Sequence, residues 1–152
     1  MDDSDDEDVF YTHGLCIPAD PDWYEMERDE AEGDDLPMVL QKGDSHAVLQ
    51  FSVPPPKEDE EIMLGDLRDW MEEMAKRARL GKAVDQVETT GPNLVCAGTF
   101  TSGKDFTRLW YWSDRKRVVM VTYACRGKPD PEELSDCERM VQQMRFENPE
   151  AE

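Results

Sequence analysis

A chain of 152 residues carries 36 acids against 17 bases, a formal charge of −19 at pH 7. That is one domain's worth of sequence, enough to bury roughly two thirds of its unfolded surface without metal or disulfide staples. Such a field repels phosphate polymers and anionic bilayers, which argues against binding nucleic acid or a membrane surface and makes a basic protein the natural partner.

The acidity is regional. Residues 1–35 hold 15 carboxylates against the single base Arg28, a net −14, whereas residues 36–152 hold 21 acids and 16 bases, a net −5. Residues 1–8 read as an acidic flexible leader, 9–147 as one domain and 148–152 as a frayed tail. The start of the chain lacks the basic and apolar regions of a secretory signal, and no run of about 18 apolar residues occurs, so a cytoplasmic protein is expected. The cysteines Cys16, Cys96, Cys125 and Cys137 are widely spread, with no C-x-x-C pair, as buried thiols of a reducing compartment would be; a pairing between them stays open.

In chain order, Val9 to Ile17 is expected as a first strand, ended by Pro18-Ala19-Asp20-Pro21. Trp23 to Asp35 has no firm period. Met38 to Gln41 and His46 to Val53 read as two strands, the second with Leu49, Phe51 and Val53 on one face, and Pro54-Pro55-Pro56 stops it. Leu64, Leu67, Met71, Met74 and Ala78 recur at steps of three and four, which predicts an amphipathic helix over 62–80 with Gly81 as its left-handed cap. Three strands follow, Leu94 to Thr101, Thr107 to Trp112 and Arg117 to Cys125, the last two forming a hairpin. Val118 to Val121 is apolar on both alternations, so this strand belongs at the centre of a sheet covered on both faces. A second helix, 131–145, opens with Asp130 as N-cap, Pro131 at its first position and Glu133 at capping-box spacing. The fold class is therefore α+β, an antiparallel sheet flanked by helices.

The sequence carries no nucleophile elbow, phosphate loop or dinucleotide fingerprint, and His13 and His46 lie in no metal or catalytic motif. Carboxylate pairs say little in so acidic a chain. No catalytic residue, cofactor or metal is expected, and the chain is read as a binder, not an enzyme. The aromatics carry more. Trp110 and Trp112 face opposite to Tyr111; they are core if both faces of the sheet are covered, but if the hairpin tip is open, Trp112 with Asp114 makes an aromatic anchor beside a charge. Trp23 and Tyr24, among Glu25, Asp29 and Glu30, form a second such patch. The expected partner-binding set is thus Trp23, Tyr24, Glu25, Asp29, Glu30, Trp112 and Asp114.

The succession of Pro18-x-x-Pro21-x-Trp23, a long amphipathic helix, a hairpin ending in Arg117-Val118-Val119-Met120-Val121-Thr122-Tyr123, and a helix whose Met140-Val141 runs into Met144-Arg145-Phe146 resembles the PsbP/DcrB-like fold over residues 9–147. The resemblance implies an α/β/α sandwich and a family of mostly non-enzymatic binders: photosystem subunits, a Ran-binding transport factor, chaperones of type VI secretion effectors and bacterial immunity proteins. It implies no shared catalytic set. The chain departs from exported members in having no export segment, and its acidic leader lies outside the pattern. The leading expectation is a cytosolic immunity protein whose acidic surface blocks the basic cleft of a toxin or secreted effector. The alternative is a chaperone or adaptor of a type VI secretion effector, which would take an apolar segment on the Met-rich helix and paired tryptophans.

Overall fold

The computed structural model describes residues 9–12, 14–18, 22–26, 38–43, 45–53, 61–102 and 104–146. The expected leader and tail lie outside these residues, as do Asp29 and Glu30. Among the described residues ten strands and two helices follow the order β1 (Val9–Thr12), β2 (Leu15–Pro18), β3 (Trp23–Glu25), β4 (Met38–Lys42), β5 (Val48–Ser52), α1 (Leu64–Arg77), β6 (Val84–Thr89), β7 (Leu94–Ser102), β8 (Asp105–Ser113), β9 (Val118–Arg126), α2 (Pro131–Gln143) and β10 (Arg145–Phe146). No helix among the described residues is long and apolar enough to cross a membrane.

The fold is α+β, as expected, but its strands form two antiparallel sheets where one was expected. A seven-stranded sheet runs β3-β4-β5-β9-β8-β7-β6, and a three-stranded sheet runs β1-β2-β10. The split begins at Gly14, whose φ of +84° turns the expected first strand into a hairpin pairing Val9 with Pro18 and Thr12 with Leu15. Strand β9 lies at the centre of the large sheet, as its apolar alternations predict. It is flanked by β5 and β8.

Each face of that sheet has its own apolar layer, because successive side chains point to opposite sides. On one side Leu67, Met71 and Ala75 of α1 pack on Leu94, Cys96, Phe100, Leu109 and Tyr111. On the other, Cys137, Met140 and Val141 of α2, with Leu15, Ile17 and Phe146 of the small sheet, pack on Trp110, Trp112, Val119, Val121 and Tyr123. Helix α1 approaches β7 closely at Gly98, where an added Cβ would meet Met71 Sδ at 3.2 Å and Ala83 Cβ at 3.3 Å. The absent side chain is what lets the thioether reach the sheet.

The end of α1 differs from expectation. The left-handed position falls at Arg79 (φ +57°), before Gly81, and the backbone closes with Leu80 N donating to Ala75 O at 2.9 Å and Arg79 N to Lys76 O at 3.2 Å. That is a Schellman closure built on a non-glycine residue. Strand β6 was not legible in the sequence, since Asp85 (φ +56°) bulges out and shifts the register between Val84 and Val87, breaking the two-residue period.

Two outcomes follow for stability, both read by denaturant unfolding. Gly98→Val should cost about 1–3 kcal/mol by overpacking and Met71→Ala about 2–5 kcal/mol by leaving a cavity, while the double mutant should cost less than their sum, because one change vacates the space the other fills. Strict additivity would show that Gly98 and Met71 do not share that space. Arg79→Gly should stabilise by up to about 1 kcal/mol, since glycine removes the penalty of a left-handed residue.

Candidate binding surface

The two tryptophans expected as anchors are not on the surface. Trp112 is 2% exposed, its ring 5.6 Å from that of Phe146 at a tilt of 49°, and the Arg117 guanidinium lies 3.9 Å from the Phe146 ring. Trp23 is 5% exposed and donates its indole N–H to Asp136 Oδ2 at 3.1 Å. Both lie in the layer beneath α2, because the small sheet and that helix cover this part of the face. As contacts of a partner they are corrected to core.

Asp114 has a different task from the one expected. Its Oδ1 accepts from Lys116 N (3.0 Å) and Arg117 N (2.8 Å), and its Oδ2 from the Arg117 guanidinium (3.0 Å), so it shapes the turn between β8 and β9. Nor is it near Trp23. The register puts Trp23 opposite Lys42, at the end of the sheet where β8 begins and β9 ends; Asp114 sits at the other end, about 26 Å away along β8 at 3.3 Å per residue. Tyr24 and Glu25 are exposed on the edge strand β3, with Tyr24 at 48%; the Tyr24 hydroxyl donates to Gln41 Oε1 at 3.1 Å.

What sequence reasoning missed is that α2 turns carboxylates inward. Glu133 and Asp136 are 6% and 7% exposed. Instead of closing a capping box, Glu133 accepts from the Tyr123 hydroxyl at 2.7 Å; the cap itself is Asp130, which accepts from Glu132 N at 2.9 Å. Asp136 accepts from Trp23, from Lys42 Nζ at 2.8 Å and from Arg139 at 3.0 Å. Glu138 accepts from Arg108 Nε at 2.8 Å and from the Trp110 indole at 3.1 Å, and Arg108 also donates to Thr99 Oγ1 at 2.7 Å. The Tyr123 and Trp ring donors therefore keep partners inside an otherwise apolar layer. The one available signal was Trp23 and Trp110 themselves, since a buried indole needs an acceptor.

These contacts shift ionisation. Burial pushes the Asp136 carboxyl up, but hydrogen bonds from Lys42, Trp23 and Arg139 outweigh it and hold the group below its ordinary value. The Lys42 ammonium is held above its ordinary value by its hydrogen bond to Asp136. Burial pushes the Cys96 thiol up to about 11 and also raises Cys125, so neither is a thiolate nucleophile at neutral pH. Among the described residues all four cysteines are free thiols, and no cluster of three or more His, Cys, Asp or Glu stands in metal-ligating geometry.

With the rings and inward carboxylates used for packing, the half-exposed part of the sheet is the α1 side beyond that helix. Helix α1 covers β7 and β8 and reaches Val118 and Met120 of β9. Past it, the strands present Tyr24, Val39, Gln41, Val48, Gln50, Ser52, Thr122 and Ala124, each half-buried or exposed and none charged. The face continues through Thr107 and Ala124 into a cleft of about 640 Å³ bounded by His46, Asp105, Phe106, Cys125 and Arg126. At its opposite end Met26 N donates to Val39 O at 2.8 Å; the connection 27–37, which holds Glu27, Asp29, Glu30, Glu32, Asp34 and Asp35 against Arg28, lies outside the described residues.

No protein-family model matches this chain, and no curated protein does. It is similar in fold to a crystal structure from Bacteroides thetaiotaomicron, with a TM-score of 0.59 at 11% identity; the match covers 90% of this chain and 46% of the other. The chain thus spans less than half the length of that structure, and the likeness concerns the fold alone.

Asp136→Asn tests the network. Asp136 has a lowered folded pKa, so its contribution is present above the unfolded value of about 3.9 and fades as pH falls through the folded one; Lys42 has a raised folded pKa, so its contribution is present below about 10.4 and fades as pH rises through the folded one. The stability difference between parent and mutant should be largest between those limits and shrink on both sides. A difference independent of pH would remove the ion pair from the argument. Lys42→Ala should cost about 1.5–3 kcal/mol, the worth of a hydrogen bond to a charged group.

Proposed function

We propose that this chain is a cytoplasmic, non-catalytic inhibitor of the immunity-protein type, which binds a basic toxin or secreted-effector domain and covers its basic cleft. The observation that carries this reading is the placement of the acidity. The connection between the adjacent strands β3 and β4 carries six carboxylates and one arginine, and those two strands form the edge of the uncharged sheet face. A toxin acting on a phosphate-bearing substrate presents a cationic cleft, and a polyanionic segment beside a neutral platform can occupy it. The large sheet, with α1 on one face and α2 on the other, supports the resemblance to the PsbP/DcrB-like sandwich, a fold used mostly by binders.

Co-expression of the chain with each product of its neighbouring genes tests the reading. Rescue of growth from a toxic, basic product is expected, and failure to rescue from any of them would sink it. With that product purified, deletion of residues 1–8 should slow association at low salt and leave the thermal midpoint unchanged, since six negative charges are removed from outside the domain. An association rate of the full chain that ignores salt would rule out steering. Asp29→Lys with Glu30→Lys should abolish protection.

A further inference from the structure

Strand β6 ends the large sheet beyond β7, and all six of its residues are exposed. Among the described residues no strand pairs with its outer edge. The bulge at Asp85 sets Val84 opposite Thr99 and Val87 opposite Ala97, so both valines fall on the face that Ala97 turns towards the α2 layer. In a regular strand, residues three apart would point to opposite faces. The two valines stay 53% and 44% exposed, an apolar pair side by side at an open edge.

Charge is the usual device that blunts such an edge, but the carboxylates of β6 are already engaged. Glu88 accepts from Arg68 at 2.8 Å, and Asp85 lies 3.8 Å from the Arg108 guanidinium. The cations that precede the strand are not engaged: Lys76, in the last turn of α1, and Arg79 and Lys82, in the connection to β6, are exposed and make no ion pair among the described residues. Cations at a helix end answer its dipole. Arg79, however, stands past the last helical residue and holds the φ of +57° that glycine adopts without strain. An arginine side chain that costs stability there and bonds nothing among the described residues points to a contact outside the chain.

We propose that β6 is an edge for strand addition, and that its occupant is an extended segment of a partner protein in which acidic and apolar residues alternate. An added strand lies about 4.8 Å from β6 and takes main-chain hydrogen bonds from the open edge. Its alternate side chains fall on two faces, the apolar set beside Val84 and Val87 on the α2 side, the carboxylates on the side where α1 ends in its cations. The site is separate from the basic partner proposed above and uses none of the acidic segments. A second copy fits poorly, because its β6 carboxylates are already held by Arg68 and Arg108 and it adds another −19. A phosphate polymer or anionic bilayer extends past the three cations into the same negative field and gains nothing from a strand edge.

The test uses the full-length chain and a fluorescein-labelled peptide of five Val-Asp repeats, read by fluorescence polarisation. Saturable binding that weakens with salt is expected. It should be lost when the peptide carries Asn for every Asp, and also when alternate residues are N-methylated, which blocks main-chain hydrogen bonds and keeps every charge. Arg79→Gly with Lys82→Gln should weaken binding at least tenfold without lowering the thermal midpoint, which separates a lost contact from a damaged fold. Binding that survives that double substitution or the N-methylation, or no binding at millimolar peptide, would overturn the proposal. A dimer of the chain alone that Val87→Lys dissolves would give the edge to a second copy. Binding of single-stranded DNA or phosphatidylserine vesicles through Arg79 and Lys82, in place of the peptide, would give the cations to phosphate; either result overturns the occupant.

Discussion

The acceptance of sheet hydrogen bonds by carboxylates of α2 is the interaction on which the rest of the molecule depends. A central strand that is apolar on both alternations needs cover on both faces, and the face under α2 also holds three groups that cannot be buried unpartnered: the indoles of Trp23 and Trp110 and the hydroxyl of Tyr123. Glu133, Asp136 and Glu138 meet them within about one and a half turns of the helix. The same carboxylates pair with Lys42 and Arg108, so each buried negative charge has either a cation or a ring donor. The helix can dock in one axial register only, because a shift of one turn would strand all of these groups together.

That docking decides which surface is left exposed. With Trp23 and Trp112 sealed beneath α2 and the small sheet, two of the aromatic anchors that composition suggests are spent on stability. Helix α1 is narrower than the seven-stranded sheet it rests on, so the opposite face is covered over β7 and β8 and half-exposed over β3, β4 and β5. The uncharged face is a geometric consequence of one helix on a wide sheet. Its composition is not a geometric consequence, and that is why it carries a functional argument.

The division of charge has the same logic. Carboxylates in α2 serve the fold, where their donors hold them at fixed distances and salt has little access. Those of residues 1–35, apart from Glu25 in β3, precede or connect the described strands, and in the function proposed here they act through the field they place around the domain. One residue type does two jobs in this chain, and burial separates them.

Periodicity and capping residues alone determined α1, α2, β5, β7, β8 and the central place of β9, because an apolar stripe or a two-face apolar run has few ways to be satisfied. Pro131 after Asp130 set the start of α2 for the same local reason. Tertiary structure decided what local pattern could not: that Gly14 splits the first strand into a hairpin, that a bulge at Asp85 makes an edge strand of a segment without alternation, and that Glu133 leaves its capping position for Tyr123. It also decided the fate of the tryptophans. Whether Trp112 is an anchor or core depends on what lies above it, and Phe146, 34 residues later in the chain, reaches that place only once α2 has packed. Contacts so far apart in sequence leave no mark on the local pattern, since the chain between them sets the distance and the fold alone sets the meeting.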